Sequence, residues 1–321
     1  MRVDISLLCS RMKEFEQLRI VFFGTPDFAV ASLDALVRAG ACIVAVVTAP
    51  DKPAGRGMHL QMSAVKQYAL EAELPVLQPE KMKSPEFLAQ LQELHADLQV
   101  VVAFRMMPEV VWNMPPLGTI NVHGSLLPDY RGAAPINWAI MNGDKETGVT
   151  TFKLKHEIDT GDILLQQSVE IADSDNAGQL HDKLMRAGAE LLVKTVRGLA
   201  AGQLHEVPQN EVPGRLLRHA PKLFKEHMLV DWGRPVSNIR DQVRGLSPYP
   251  GAFTMLQGKT FKLYQVRAEA AHDVPTPGNY ETDQKTYLRF AGADGWVYAD
   301  EVQMEGKKRM PIAEFLRGFR G

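Results

Sequence analysis

Asn121 and His123 stand two residues apart at the end of a short apolar run, and the stretch that follows, Gly124 to Ile136, is rich in Gly and Pro. If the run is a strand its side chains alternate, so Asn121 and His123 share one face with Val122 opposed. A carboxamide can donate to a developing oxyanion, and an imidazole with an ordinary pKa of about 6.5 can take a proton at neutral pH. A lone His serves packing as readily as chemistry, so the pair matters more than either residue. Downstream, "IDTGDILLQ" (Ile158 to Gln166) sets Asp159 before another apolar run. Asp-Thr-Gly-Asp is good turn chemistry by itself. Folded back onto His123, Asp159 would orient the ring.

Other chemistries fit these residues poorly. Ser125 is near His123 in sequence, but there is no G-x-S-x-G elbow and the spacing is too local for a nucleophile and its base. One copy of Asp-Thr-Gly does not make an aspartic protease, which needs two carboxylates sharing a proton. "NVH" supplies one strong metal ligand only, so no metal is expected. "FFGTPDF" (residues 22–28) follows an apolar run with a Gly and a Pro suited to starting a helix, yet it lacks the GxGxxG spacing of a dinucleotide site.

The elements that must carry these residues alternate in type from Arg19 onward. "RIVFF", "CIVAVVT" (42–48), "LQVVVAF" (98–104) and "GTINV" (118–122) read as strands buried on both faces, with helices expected over 27–40, 62–73 and 84–94. The pattern predicts an α/β fold, a doubly wound and mostly parallel sheet, with ligands at the carboxyl ends of its strands. "VTTFKL" and "DILLQQSV" read as two more strands around a turn, and "AGQLHDKLMRAGAELLVKTVRGLAAG" as a long closing helix. Beyond a looser stretch come "FTML", "KTFKLYQV", "TYLRFA" and "GWVYADEV", short strands that predict a small OB-like β-barrel ending in the helix "PIAEFLRGF". The expected division is an extension at 1–18, a catalytic domain at 19–204, a linker at 205–220 and a second domain at 221–321.

Composition narrows the setting. The 321 residues suit two domains, and no stretch reaches the length of apolar residues that a membrane span requires. Cys9 and Cys42 offer no framework of disulfides, and residues 1–18 are too short in apolar run and too acidic for a signal peptide, so a cytoplasmic protein is expected. Residues 215–321 carry 17 Lys and Arg against 12 Asp and Glu, while the remainder carries 19 against 26. The C-terminal part therefore suits a polyanion better than the rest, although a mildly basic solvated surface looks the same. "APDKPAGRGMHL" (49–60) reads as a mobile basic loop at the ligand edge, where Arg56 between two glycines is free to reach a phosphate or carboxylate.

The run "NVHGSLLPDYRGAAPINWAIMNGDKETGVT" with "DTGDILLQ", preceded by "GTPDF" and "DKPAGRG" and closed by "EGKKRMPIAEFLRG", closely resembles the formyltetrahydrofolate-dependent formyltransferases over about residues 19–321. Among them it resembles those that act on initiator methionyl-tRNA. That resemblance implies 10-formyltetrahydrofolate as cosubstrate, no metal, no membrane partner and a monomer. It implies acyl transfer to an amine with Asn121, His123 and Asp159 as catalytic residues. It places folate on Ser125, Leu126, Leu127 and Pro128, and the tRNA acceptor end on Arg56. Lys222, Lys225, Lys307 and Lys308 are the expected further tRNA contacts on the basic second domain. Two departures stand out: Met58 and His59 replace lysines common in the loop, and Ala103-Phe104-Arg105 stands where Ala-Tyr-Gly is frequent. A sugar-nucleotide formyltransferase and a non-catalytic RNA-binding protein are the rival readings.

Overall fold

A computed structural model of the chain describes residues 13–54, 59–209 and 217–320. The chain divides into two compact units: Met1–Arg131, Gly148–Val169 and Asp182–Arg218 form the first, and Gly132–Thr147, Glu170–His181 and His219–Gly321 the second. The second unit thus takes in two segments that precede the expected linker in sequence. Part of that linker, residues 210–216, lies outside the described residues, as does most of the extension at 1–18.

In the first unit β1 (Arg19–Gly24), β2 (Cys42–Val47), β3 (Val76–Leu77), β4 (Leu98–Val102) and β5 (Thr119–His123) alternate with α1 (Asp27–Arg38), α2 (Ala64–Glu71) and α3 (Pro85–Glu93). Their apolar runs are buried because both faces of a parallel sheet are covered: Ile20, Val21, Phe22 and Phe23 of β1 are fully inaccessible, as are Val100 and Val102 of β4. The helices start where short hydroxyls can cap them. Ser63 Oγ accepts from the Lys66 amide at 3.0 Å, and Ser84 Oγ from the Phe87 amide at 3.3 Å with Pro85 in the first turn. At Gly24 a Cβ would sit 2.7 Å from Ala29 Cβ and 3.3 Å from the Val102 carbonyl, so only glycine lets α1 start this close to the sheet.

Two further strands, β6 (Glu146–Lys153) and β7 (Ile163–Glu170), complete a seven-stranded sheet in the order β7-β6-β5-β4-β1-β2-β3. β1 to β5 are parallel, whereas β6 runs antiparallel to β5, with Ile120 opposite Lys153 and His123 opposite Thr150. The sheet is mostly parallel, as its runs predict.

The segment expected as a loop at 49–60 contains a small hairpin, Lys52–Ala54 paired with His59–Gln61. Its base is pinned: Lys66 Nζ lies 2.5 Å from Asp51 Oδ2, and Gln78 donates to Asp51 Oδ1 and the Ala49 carbonyl, both at 2.8 Å. The hydrogen bond from Lys66, with that from Gln78, holds the Asp51 carboxyl below the usual carboxylate range.

The second unit contains α4 (Pro135–Met141), α6 (Val236–Gly245), a six-stranded antiparallel sheet and α7 (Ile312–Leu316), with the long α5 (Ala177–Ala200) beginning in it. Its strands are β8 (Ala252–Leu256), β9 (Lys259–Ala270), β10 (Tyr280–Thr282), β11 (Leu288–Ala291), β12 (Gly295–Met304) and β13 (Met310–Pro311). They lie in the order β8-β9-β12-β11-β10, with β13 on β12. Every predicted strand of this part is present. Val236, Ile239, Val243 and Leu246 form one stripe of α6 and its C-terminus and pack on Phe261, Leu263, Phe290, Val297 and Val302. No element is expected at α6 from the sequence, although its apolar residues recur at helical spacing, because Pro235 and the many polar residues around them leave only a thin apolar stripe. Helix α4 lies against it, and Asn137 Nδ2 donates to the Gly245 carbonyl at 2.7 Å.

Candidate active site

β5 brings Asn121 and His123 to the end of a strand paired on both sides, Asn121 opposite Val101 of β4 and Phe152 of β6. The Asn121 side chain is partly exposed and its carboxamide makes no hydrogen bond to any described residue. His123 is buried at 7 % exposure, with the Phe152 ring edge-on at 6.5 Å between centroids.

Both ring nitrogens of His123 have polar neighbours. Nε2 lies 2.9 Å from the carbonyl of Tyr130, and Nδ1 lies 3.8 Å from Asp159 Oδ2. A carbonyl only accepts, so Nε2 carries the proton of the neutral ring and the Nδ1 lone pair faces the carboxylate. Asp159 reaches this place by an indirect route. β6 descends antiparallel to β5 and ends opposite Ile120, so the connection from Leu154 to Asp162 must climb back along the sheet to the level of His123. Asp159 itself takes a positive φ of 56°, and Gln209 Nε2 holds the loop by donating to the carbonyls of Asp159 at 3.0 Å and Gly161 at 2.7 Å. Gln209 Oε1 in turn accepts from the Arg131 guanidinium at 2.9 and 3.1 Å.

The loop from Ser125 to Arg131 is braced from within. Ser125 is fully buried and its hydroxyl donates to the Asp129 carbonyl at 2.6 Å, so its side chain serves the loop. Leu127 is buried, while Leu126 and Pro128 are partly exposed. The Thr150 hydroxyl and the Gln166 amide, from β6 and β7, bind the backbone of this loop at Ser125 and Leu127. Tyr130 has a positive φ of 60°, an uncommon conformation for an aromatic residue that its neighbours must hold in place. The Tyr130 carbonyl is a site feature without a sequence signature, because a carbonyl belongs to every residue type.

Around the end of β4, Ala103 has a φ of 46°, and Phe104 meets Phe23 edge-on at 5.7 Å. Arg105, where the resemblance leads one to expect glycine, forks its guanidinium onto the carbonyls of Pro79 and Glu80, the latter at 3.1 Å. That fork ties the segment after β4 to the one after β3.

Arg56, expected to meet tRNA, lies outside the described residues, and so do Met58 and the His59 side chain, which stand where lysines are common in this loop. Lys222, Lys225, Lys307 and Lys308 are exposed on the second unit, in two segments; Lys225 Nζ lies 5.9 Å from the centre of the Phe253 ring. Among the described residues no helix is long and apolar enough to cross a membrane.

Comparison with known proteins gives matches along nearly the whole chain. The formyl transferase family profile matches residues 18–196, and the profile of the formyl transferase C-terminal domain matches residues 222–320. A methionyl-tRNA formyltransferase of Parabacteroides distasonis is 56 % identical over 314 residues, covering 95 % of this chain and 97 % of that protein. One from Bacteroides fragilis is 54 % identical over 311 residues, covering 95 % and 96 %. Among solved structures, an N-formyltransferase from Helicobacter canadensis in complex with folinic acid and dTDP-3-aminofucose has a TM-score of 0.64 at 18 % identity, over 90 % of this chain and 100 % of that one. At that identity the likeness is one of fold.

Proposed function

The chain belongs to the methionyl-tRNA formyltransferase family, and from that premise we propose that Asn121, His123 and Asp159 carry its chemistry. The enzyme transfers the formyl group of 10-formyltetrahydrofolate to the α-amino group of methionine esterified to initiator tRNA, and the product is N-formylmethionyl-tRNA for translation initiation. One observation carries the assignment of residues: His123 is gripped on Nε2 by a backbone carbonyl, presents Nδ1 toward Asp159, and stands on the same strand face as an Asn with no protein partner among the described residues.

An α-amino group has an unperturbed pKa of about 7.7 to 8.0, so a useful fraction is neutral at pH 7 and attacks the formyl carbon without strong activation. As the new C–N bond forms, the carbonyl π pair moves onto oxygen, and the Asn121 amide donates to that oxyanion. The attacking nitrogen now carries an excess proton. Nδ1 of His123 accepts it, and the carboxylate of Asp159, 3.8 Å away, stabilises the imidazolium. The same proton then goes to N10 as the C–N10 bond breaks, which leaves tetrahydrofolate and an uncharged formamide. The braced loop Ser125–Pro128 is the folate subsite in this reading, with Leu126 and Pro128 offering the accessible apolar contact. Arg56, Lys222, Lys225, Lys307 and Lys308 meet phosphates of the tRNA, and the enzyme works in the cytosol.

The test is an acceptor comparison: release of tetrahydrofolate from 10-formyltetrahydrofolate with methionyl-tRNA or with an amino-sugar nucleotide. Turnover is expected with the tRNA. Turnover with the sugar nucleotide alone would move the protein to the other branch of the fold, and turnover with neither would favour an RNA-binding protein without catalysis.

A further inference from the structure

Nε2 of His123 is held by the carbonyl of Tyr130, so whatever fixes Tyr130 fixes the tautomer of the ring. One residue meets Tyr130 in two ways. The Arg218 carbonyl accepts from the Tyr130 amide at 2.6 Å, and the Arg218 guanidinium lies over the Tyr130 ring with its carbon 4.7 Å from the centroid. The same residue also grips Asp129. Nη2 donates to Asp129 Oδ2 at 3.2 Å and the Arg218 amide to Oδ1 at 3.4 Å. Asp129 is 6 % exposed and Tyr130 is 2 % exposed, so the guanidinium spreads over two buried neighbours while remaining partly solvated itself. Ser125 closes the ring of interactions from below through the Asp129 carbonyl.

We propose that Arg218 is a positioning residue for the formyl transfer: by clamping Asp129 and Tyr130 it keeps the Tyr130 carbonyl on Nε2 and reserves Nδ1 as the nitrogen that accepts the proton. The proposal rests on the reading of His123 as that acceptor. Asp159 does not do this task, because at 3.8 Å from Nδ1 its carboxylate is beyond hydrogen-bond distance of the ring and leaves the choice of tautomer to the contact on Nε2. The left-handed backbone of Tyr130 needs outside support to persist, and the Arg218 stack together with the main-chain bond supplies it. Arginine suits the place as lysine would not, since a planar guanidinium can stack on a ring and donate in its own plane at once.

The experiment uses the full chain labelled with 15N at histidine, with the His123 signal identified as the one missing from His123→Gln. The wild-type spectrum should show the Nε2–H tautomer. In Arg218→Ala the Nδ1–H tautomer should appear beside it, and kcat should fall on the order of tenfold while KM for 10-formyltetrahydrofolate stays within about twofold, as expected for a displaced proton acceptor. Asp129→Asn keeps the side-chain volume and should move both readouts in the same direction, which decides the matter if Arg218→Ala does not fold. A single Nε2–H tautomer retained in both variants would overturn the clamp. A tautomer change with kcat unaltered would instead overturn His123 as the base, and with it any part for Arg218 in this reaction.

Discussion

The hydroxyl of Thr150 sits between the two ends of a tight loop: it donates to the carbonyl of Ser125 at 2.6 Å and accepts from the amide of Leu127 at 3.1 Å. Gln166 Nε2 also donates to it at 2.9 Å while donating to the Leu127 carbonyl at 2.9 Å. One side chain of β6 and one of β7 thereby satisfy the backbone of the proposed folate subsite, which lies opposite them as loop and cannot pair with the sheet.

Thr150→Val keeps the shape and removes the hydroxyl, which strands a buried amide and carbonyl. The cost should be about 1–3 kcal/mol of folding stability. Urea unfolding with a folate titration checks it: the expected outcome is a lower midpoint and weaker binding of 10-formyltetrahydrofolate, with a smaller change in the single-turnover rate at saturation.

Asn121→Ala should do the opposite. Its carboxamide has no partner among the described residues, so stability and folate affinity should stay near wild type. Loss of one preorganised oxyanion donor typically costs roughly 10² to 10³ in rate. Single-turnover formylation is the measurement, and retention of half the rate would remove Asn121 from the mechanism.

His123 and Asp159 should act as one unit. His123→Ala and Asp159→Ala each lower kcat strongly, and the double variant should be little worse than the poorer single one, because the carboxylate has no task without the imidazolium. A double-mutant cycle with additive losses would give Asp159 a separate function.

Gly245→Ala tests the packing of the second unit. A Cβ there would lie 2.6 Å from Met141 Cγ and 3.0 Å from the Asn137 carbonyl, on the neighbouring helix α4. Overpacking of this kind typically costs about 1–3 kcal/mol, and here helix propensity favours alanine, so a drop in Tm would isolate the steric effect.

Lys307→Ala with Lys308→Ala addresses the tRNA face. If both lysines meet phosphates, affinity for methionyl-tRNA should fall and the slope of log K against log salt should flatten by about 0.7 to 0.9 for each phosphate no longer neutralised. An unchanged slope would place the tRNA elsewhere on the protein.

How much of the molecule can be read from residues alone follows the kind of interaction. β1, β2, β4 and β5 announce themselves because strands buried on both faces are runs of apolar residues, and Asn121 and His123 share a face by simple alternation. The meeting of Asp159 with His123 is not a matter of periodicity: it depends on β6 running antiparallel and on a loop that retraces the strand. Asp129 and Arg218 are 89 residues apart, and neither stands out in composition. Helix α6 is hard to see in the sequence because its buried stripe is diluted by Arg240, Asp241, Gln242 and Arg244, of which Arg244 turns inward and donates to the carbonyls of Ala172 and Asp175 in the same unit.

The pairing of β5 on both sides has a consequence for the motion left in the active site. Asn121 has its main chain locked between Val101 and Phe152, so the donor can adjust to a reacting carbonyl only by rotation about its own two side-chain bonds. Side-chain rotations at accessible positions take picoseconds to nanoseconds, and even a large slowing at this partly exposed one leaves them far faster than turnover of an ordinary enzyme. If Asn121 is the oxyanion donor we propose, it contributes no slow coordinate to the reaction, and solvent viscosity should act on the arrival and departure of the tRNA while leaving the intrinsic rate of formyl transfer untouched.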